Sequence, residues 1–245
     1  ATLSSTGGTT ITARGTCFNT SAFPTANCLP EGSTSTSAYT HTRTSLTPNT
    51  FYYYRGYVTY TDGAGVAATT YTTDGTFTTK DIPSLTLPTY TALTDTTVTL
   101  GATITGNGGS PITSRGTCWG TVSSPLTNCF PEGGTSTALF VQARSGLPQG
   151  TFIYARGYAT NMYGTAYSPD TTFTTYAPPT ITTPTVAQVT NGGAVLGATI
   201  TSNGGSAILA RGTCFATTPA PSTNCIVEGG TAVSSFTHTR TGMTP

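Results

Sequence analysis

The sequence predicts an all-β protein, and three observations carry that expectation. Thr alone makes up about a quarter of the 245 residues, and its branched β-carbon suits a pleated, half-buried surface. The 29 Gly and 16 Pro interrupt any helix. Apolar residues nowhere recur at helical spacing over a useful length, whereas Thr97–Ile104 alternates in the period of two that a strand requires.

The strands of the central region can be placed in order. Thr97–Ile104 comes first, and Asn107-Gly108-Gly109 is a tight-turn signal after it. Ile112–Trp119, Leu139–Ala143, Thr151–Thr160 and Thr171–Thr175 supply the rest. About seven short strands punctuated by turns in about 96 residues fit a two-sheet sandwich of the immunoglobulin type.

That region is one of three copies. Ala13-Arg14-Gly15-Thr16-Cys17-Phe18 returns as Ser114-Arg115-Gly116-Thr117-Cys118-Trp119 and again as Ala210-Arg211-Gly212-Thr213-Cys214-Phe215. Phe51…Arg55-Gly56-Tyr57 returns as Phe152…Arg156-Gly157-Tyr158, and both of these copies close on Thr-Phe-Thr-Thr. The first copy is longer at a hairpin tip around Asp62-Gly63-Ala64-Gly65. Pro83 and Pro178-Pro179 mark the joins, so the expected domains are 1–81, 82–177 and 178–245. Ala1 aligns with Ala102 and Pro245 with Gln149. The first repeat is therefore expected to lack its first strand and the third its last two, as in a window on a longer array.

The stretch Leu147-Pro148…Thr151-Phe152-Ile153-Tyr154-Ala155-Arg156-Gly157-Tyr158-Ala159-Thr160-Asn161…Gly164-Thr165-Ala166-Tyr167, with Ser114–Trp119 ahead of it, resembles a bacterial fibronectin type III-like repeat. The resemblance implies tandem β-sandwiches of secreted and cell-surface proteins, used as stalks, adhesins and spacers. It speaks to fold more than to function. Paired cysteines and the high Thr content depart from the usual pattern.

Each first cysteine is followed eleven positions later by a second, giving the pairs Cys17–Cys28, Cys118–Cys129 and Cys214–Cys225. One disulfide per repeat and an oxidising, extracellular setting are expected. Zinc would need four ligands, and no His or third Cys accompanies a pair. Free thiols in a reducing compartment are the alternative.

Charged residues are only 7 % of the chain and the net charge is +1, so no basic surface for nucleic acid is expected. No apolar run is long enough to span a membrane. Nor does a catalytic constellation emerge. His41 and His238 share a repeat position occupied by Gln142 in the second copy, and read as surface polar groups. Glu31, Glu132 and Glu228 share another, where Glu-Gly reads as a turn. Asp95 and Asp170 add only scattered carboxylates, and Asp62 and Asp74 read as turn formers rather than calcium ligands. The chain is expected to be no enzyme and to hold no cofactor or metal.

Arg supplies eight of the nine basic residues, in repeat-registered sets. Alternation sets Arg115, Thr117 and Trp119 on one side of their strand, and Phe152, Tyr154, Arg156 and Tyr158 on one side of theirs. If small residues face the core, an aromatic–Arg face is left outside, with Phe18, Phe51, Tyr53, Arg55 and Tyr57 in the first copy. Cross-strand Arg–ring pairing is the bland reading of that face, and contact with another copy or a sugar the sharper one. The single Lys, Lys80, leaves strand edges without electrostatic protection. Asn19-Thr20-Ser21 is a sequon, and O-glycosylation of Thr and Ser would add solubility. The expected function is a structural repeat protein of an extracellular fibre, filament or stalk, whose partners are other copies of itself. The alternative is an adhesin that binds glycans or host and cell-surface proteins.

Overall fold

The computed structural model describes residues 1–243, and every regular element among them is a β-strand. Contacts divide the chain into two units. One comprises Ala1–Ser84, Thr105–Thr113 and Thr160–Ala166; the other comprises Leu85–Ile104, Ser114–Ala159 and the chain from Tyr167 on.

The first unit is built on β1 (Thr10–Asn19), β2 (Leu29–Pro30), β3 (Phe51–Thr61), β4 (Ala67–Tyr71) and β5 (Gly75–Thr78). Their order in the sheet is β2-β1-β3-β4, with β5 also against β3. All the pairings are antiparallel. The hairpin from β3 to β4 turns where the sequence placed its tip. There Asp62 Oδ1 accepts the backbone N–H groups of Ala64 (2.9 Å) and Val66 (2.8 Å).

The central repeat contributes β6 (Ser84–Leu85), β7 (Thr89–Thr91), β8 (Thr97–Ala102), β9 (Ile104–Gly106), β10 (Ser114–Gly120), β11 (Phe130–Pro131), β12 (Phe140–Ser145), β13 (Phe152–Asn161), β14 (Gly164–Tyr167) and β15 (Thr171–Thr174). One sheet runs β12-β8-β7 and the other β11-β10-β13-β14, with β15 also on β13. Three strands packed on four or five in this order make an immunoglobulin- and fibronectin III-like sandwich. The core is what alternation dictates. Val98 and Leu100 from β8 meet Ile153 and Ala155 from β13, Phe173 from β15 and Leu147, with Leu93 and Trp119 against them. Burying a side chain such as Ile153 or Leu100 stabilises the fold by roughly 1.5–3 kcal/mol. The expected strand Thr97–Ile104 is interrupted at Thr103, because Ile104–Gly106 leaves β12 and pairs with β6 instead.

In the third repeat β16 (Thr180–Ile181), β17 (Thr185–Ala187) and β21 (Ser235–Thr241) all pair with β18 (Gly193–Ser202), and β19 (Gly212–Thr213) pairs with β20 (Ile226–Val227). Ala198, Ile200, Ile208 and Phe236 form its core. Each repeat carries one disulfide.

Candidate functional site

The feature that all three repeats share is the loop between the paired cysteines and the arginines that hold it. Cys17–Cys28, Cys118–Cys129 and Cys214–Cys225 are bonded, with Cα atoms 3.9, 4.0 and 4.0 Å apart, and no cysteine is free. The three loops have one conformation. Phe23, Ser124 and Ala220 lie at φ of 56°, 57° and 54°, and Asn27, Asn128 and Asn224 at 49°, 49° and 50°. Asn tolerates that left-handed region because its short polar side chain bonds locally. Here its Nδ2 donates to the carbonyl of Phe18, Trp119 or Phe215, at 3.3 Å in each case.

Each residue of the Arg-Gly-Thr-Cys motif has a physical task. The arginine, buried in the first two repeats and half-buried in the third, donates from its Nε to the glutamate just beyond the loop: Arg14 to Glu31 at 2.9 Å, Arg115 to Glu132 at 2.8 Å, Arg211 to Glu228 at 2.5 Å. The Nη1 of Arg115 also reaches the carbonyls of Ser136 (2.6 Å) and Ala138 (2.9 Å), as Arg14 reaches those of Ser35 and Ser37. The bond from arginine holds all three glutamates below the usual carboxylate range. The glycine is required by close approach: a Cβ on Gly15, Gly116 or Gly212 would overlap the carbonyl of Leu29, Phe130 or Ile226 on the short strand after the loop. The threonine meets the polar residue 25 positions further along the chain. Thr16 Oγ1 lies 2.8 Å from His41 Nδ1, Thr213 Oγ1 lies 3.2 Å from His238 Nδ1, and Gln142 Oε1 accepts from both N and Oγ1 of Thr117 at 2.8 Å.

Two further arginine sets close the loop. Arg55 and Arg156 donate from Nε to the carbonyls of Pro24 and Pro125 at 2.8 Å, stacked over Tyr71 (3.8 Å) and Tyr167 (4.0 Å). Arg144 donates to Asn128 O (2.6 Å) and Arg240 to Asn224 O (3.1 Å). Arg43 instead bonds Thr16. Asp74 and Asp170 accept the loop-tip N–H of Phe23 (2.7 Å) and Ser124 (2.6 Å).

These positions correct the expected contact face. On β13 the small side does face the core: Ile153 and Ala155 are fully buried, while Phe152 is 51 % exposed. On β1 and β10 it does not. The register sets Phe18 opposite Tyr54 and Cys17 opposite Arg55, so Phe18 shares the side of Tyr52, its neighbour at 5.6 Å. Trp119 likewise packs on the core. The small residues of β10 mark where the loop and its flanking strand fold over, not where the other sheet lies. Phe18 therefore does not share a face with Phe51, Tyr53, Arg55 and Tyr57, nor do Arg115 and Trp119 share one with Phe152, Tyr154, Arg156 and Tyr158. Arg55, Arg115 and Arg156 are buried, and Tyr53, Tyr57, Tyr154 and Tyr158 half-buried. What stays outside is an edge-to-face ring pair in each of two repeats, Phe51–Tyr53 and Phe152–Tyr154, both at 5.2 Å.

His41, Gln142 and His238 are corrected too, from surface groups to half-buried partners of the motif threonine. Burial first, then the Arg43 charge, lowers the His41 pKa. Asn19 ends β1, half-buried. Among the described residues no group of three or more His, Cys, Asp or Glu lies together as metal ligands do, and no helix is long and apolar enough to cross a membrane. The Arg–Glu brackets escaped the sequence reading. Their signal was a constant spacing: each of the only three glutamates lies 17 residues after the motif arginine.

The sheets have the strand order of an immunoglobulin- and fibronectin III-like β-sandwich. No family model and no curated protein matches the chain. Among solved structures, the FN1–FN3 domains of chicken CNTN1 overlap it at a TM-score of 0.31 and 11 % identity. The overlap covers 66 % of this chain and 56 % of that one.

Proposed function

We propose that this chain is a structural repeat element of an extracellular fibre, filament or surface stalk, not an enzyme. One observation carries the reading: the polar side chains repeated between copies are used to pin the disulfide loop. All the arginines donate to carbonyls, hydroxyls or glutamates of their own repeat. The motif histidines are bonded to threonine. Three disulfides fit an oxidising compartment. A surface of Thr, Ser and Gly with little charge leaves strand edges unopposed, which favours contact with further copies. Electron microscopy of native, unreduced material tests this: ordered filaments with a repeat of one or a few module lengths are expected, and dispersed monomers would refute it.

The Phe51–Tyr53 and Phe152–Tyr154 pairs, each an exposed Phe against a half-buried Tyr, favour a second reading, an adhesin that presents ring faces to glycans or cell-surface proteins. Glycan-array binding lost on Phe152→Ala would support it, and binding unaffected by that change would remove it.

A further inference from the structure

The Asn-Gly-Gly turns do more than reverse the chain. In the first unit, Thr79 N donates to Thr50 O at 3.0 Å, and two residues on Asp81 N donates to Gly108 O at 2.9 Å. The buried side chain of Asn161 then donates from Nδ2 to Asp81 O (2.7 Å) and to Asn107 O (2.9 Å), tying the segment after β5 to the turn. In the second unit, Tyr176 N donates to Thr94 O at 3.1 Å, and the next residue, Ala177, donates to Gly204 O at 2.8 Å. Gly108 and Gly204 sit at φ of 65° and 66°, where a Cβ would overlap the carbonyl of Asp81 or Ala177. Gly109 and Gly205 also have positive φ and are approached less closely, by the side chains of Lys80 and Tyr176. Glycine is needed twice over here, for the left-handed backbone and for the close approach.

Between the last bond to one repeat and the first to the next, only Lys80 is untied in the first passage, and no residue in the second. A flexible linker needs several free residues to behave as a coil. We propose that the Gly-Gly turn is a clamp that holds the segment leaving the preceding repeat. This does not depend on whether the array builds a fibre or carries a ligand.

Lys80 makes the clamp measurable, because it is the only lysine in the chain. A lysine-specific endoproteinase acting on the full, oxidised chain cuts solely at Lys80–Asp81, and only when that backbone is released. The wild type is expected to resist. Gly108→Ala and, separately, Asn161→Ala should each speed cleavage at least tenfold, while Gly204→Ala should leave Lys80 protected. Circular dichroism melts of each variant show whether the rest of the fold persists, and Asn161→Ala tests the clamp without altering the turn backbone. Cleavage of the native wild type as fast as of the denatured chain would overturn the proposal. So would cleavage of both Gly108→Ala and Asn161→Ala at the wild-type rate.

Discussion

Replacing Cys118 and Cys129 together by Ala tests how much of the central sandwich rests on its cross-link. The bonded residues are 11 apart. In the chain-entropy description, opening a loop of that length releases roughly 9 cal/mol/K to the unfolded chain, or about 2.8 kcal/mol at room temperature. Two features of the structure modify that figure, in opposite directions. The loop also hangs on Arg144, Arg156 and Asp170, so its native position survives the loss of the bond. Cys118 is fully buried, and Ala there leaves a small void that adds to the cost. For a module of this size 1 kcal/mol moves the melting temperature by about 4–8 °C, so a fall of roughly 10–20 °C in one transition is expected. Calorimetry of the oxidised chain reads it, with the same replacement in the other two pairs assigning each transition. A fall under about 4 °C would refute the reasoning and leave the arginines as what holds the loop.

The arginines carry their own expectations. Arg156→Met keeps the volume but loses the bond to Pro125 O and the stack on Tyr167. Relief of the desolvation cost of a buried charge offsets part of that loss, leaving a destabilisation of about 1–2 kcal/mol, measured as a lower urea midpoint. The three glutamates are held below the usual carboxylate range by their arginines. Their stabilisation is present above the unfolded carboxylate pKa and is lost as pH falls through the folded values; Glu132→Gln should flatten the acid limb of urea midpoints taken from pH 7 to pH 3. For His41, burial makes the folded pKa lower than the unfolded one. Its unfolded form therefore takes up the proton first, and stability drops as pH falls below about 6.5. His41→Gln should remove that drop without harm, since Gln142 fills the same position.

The features that could be read from the sequence were those whose physics is local. A pair of cysteines 11 apart, a Gly-Gly turn and the alternation of Val98 and Leu100 each act over a few residues. The Arg–Glu bracket had a readable spacing, but Glu-Gly also makes a good turn, and both readings hold at once: Gly32, Gly133 and Gly229 all have positive φ. The side on which Trp119 and Phe18 lie was not readable. Alternation splits a strand into two faces without saying which meets the other sheet. On β10 the small residues make room for backbone arriving from position 130, while on β13 they make room for the core. The inward aim of His41 depended likewise on a strand 25 residues away.

The shortness of the cross-linked loops also bears on how the protein is made. Six cysteines can pair in fifteen ways, and the repeats offer near-identical partners to one another. Loop closure weakens as 1.5 RT ln n, so joining Cys17 to Cys28 is favoured by about 2 kcal/mol over joining it to Cys129 in the next repeat. An emerging chain meets its correct partner within the same dozen residues, before the next repeat has been synthesised. Oxidation can thus proceed repeat by repeat, and lengthening an array of such modules adds little risk of tangled disulfides.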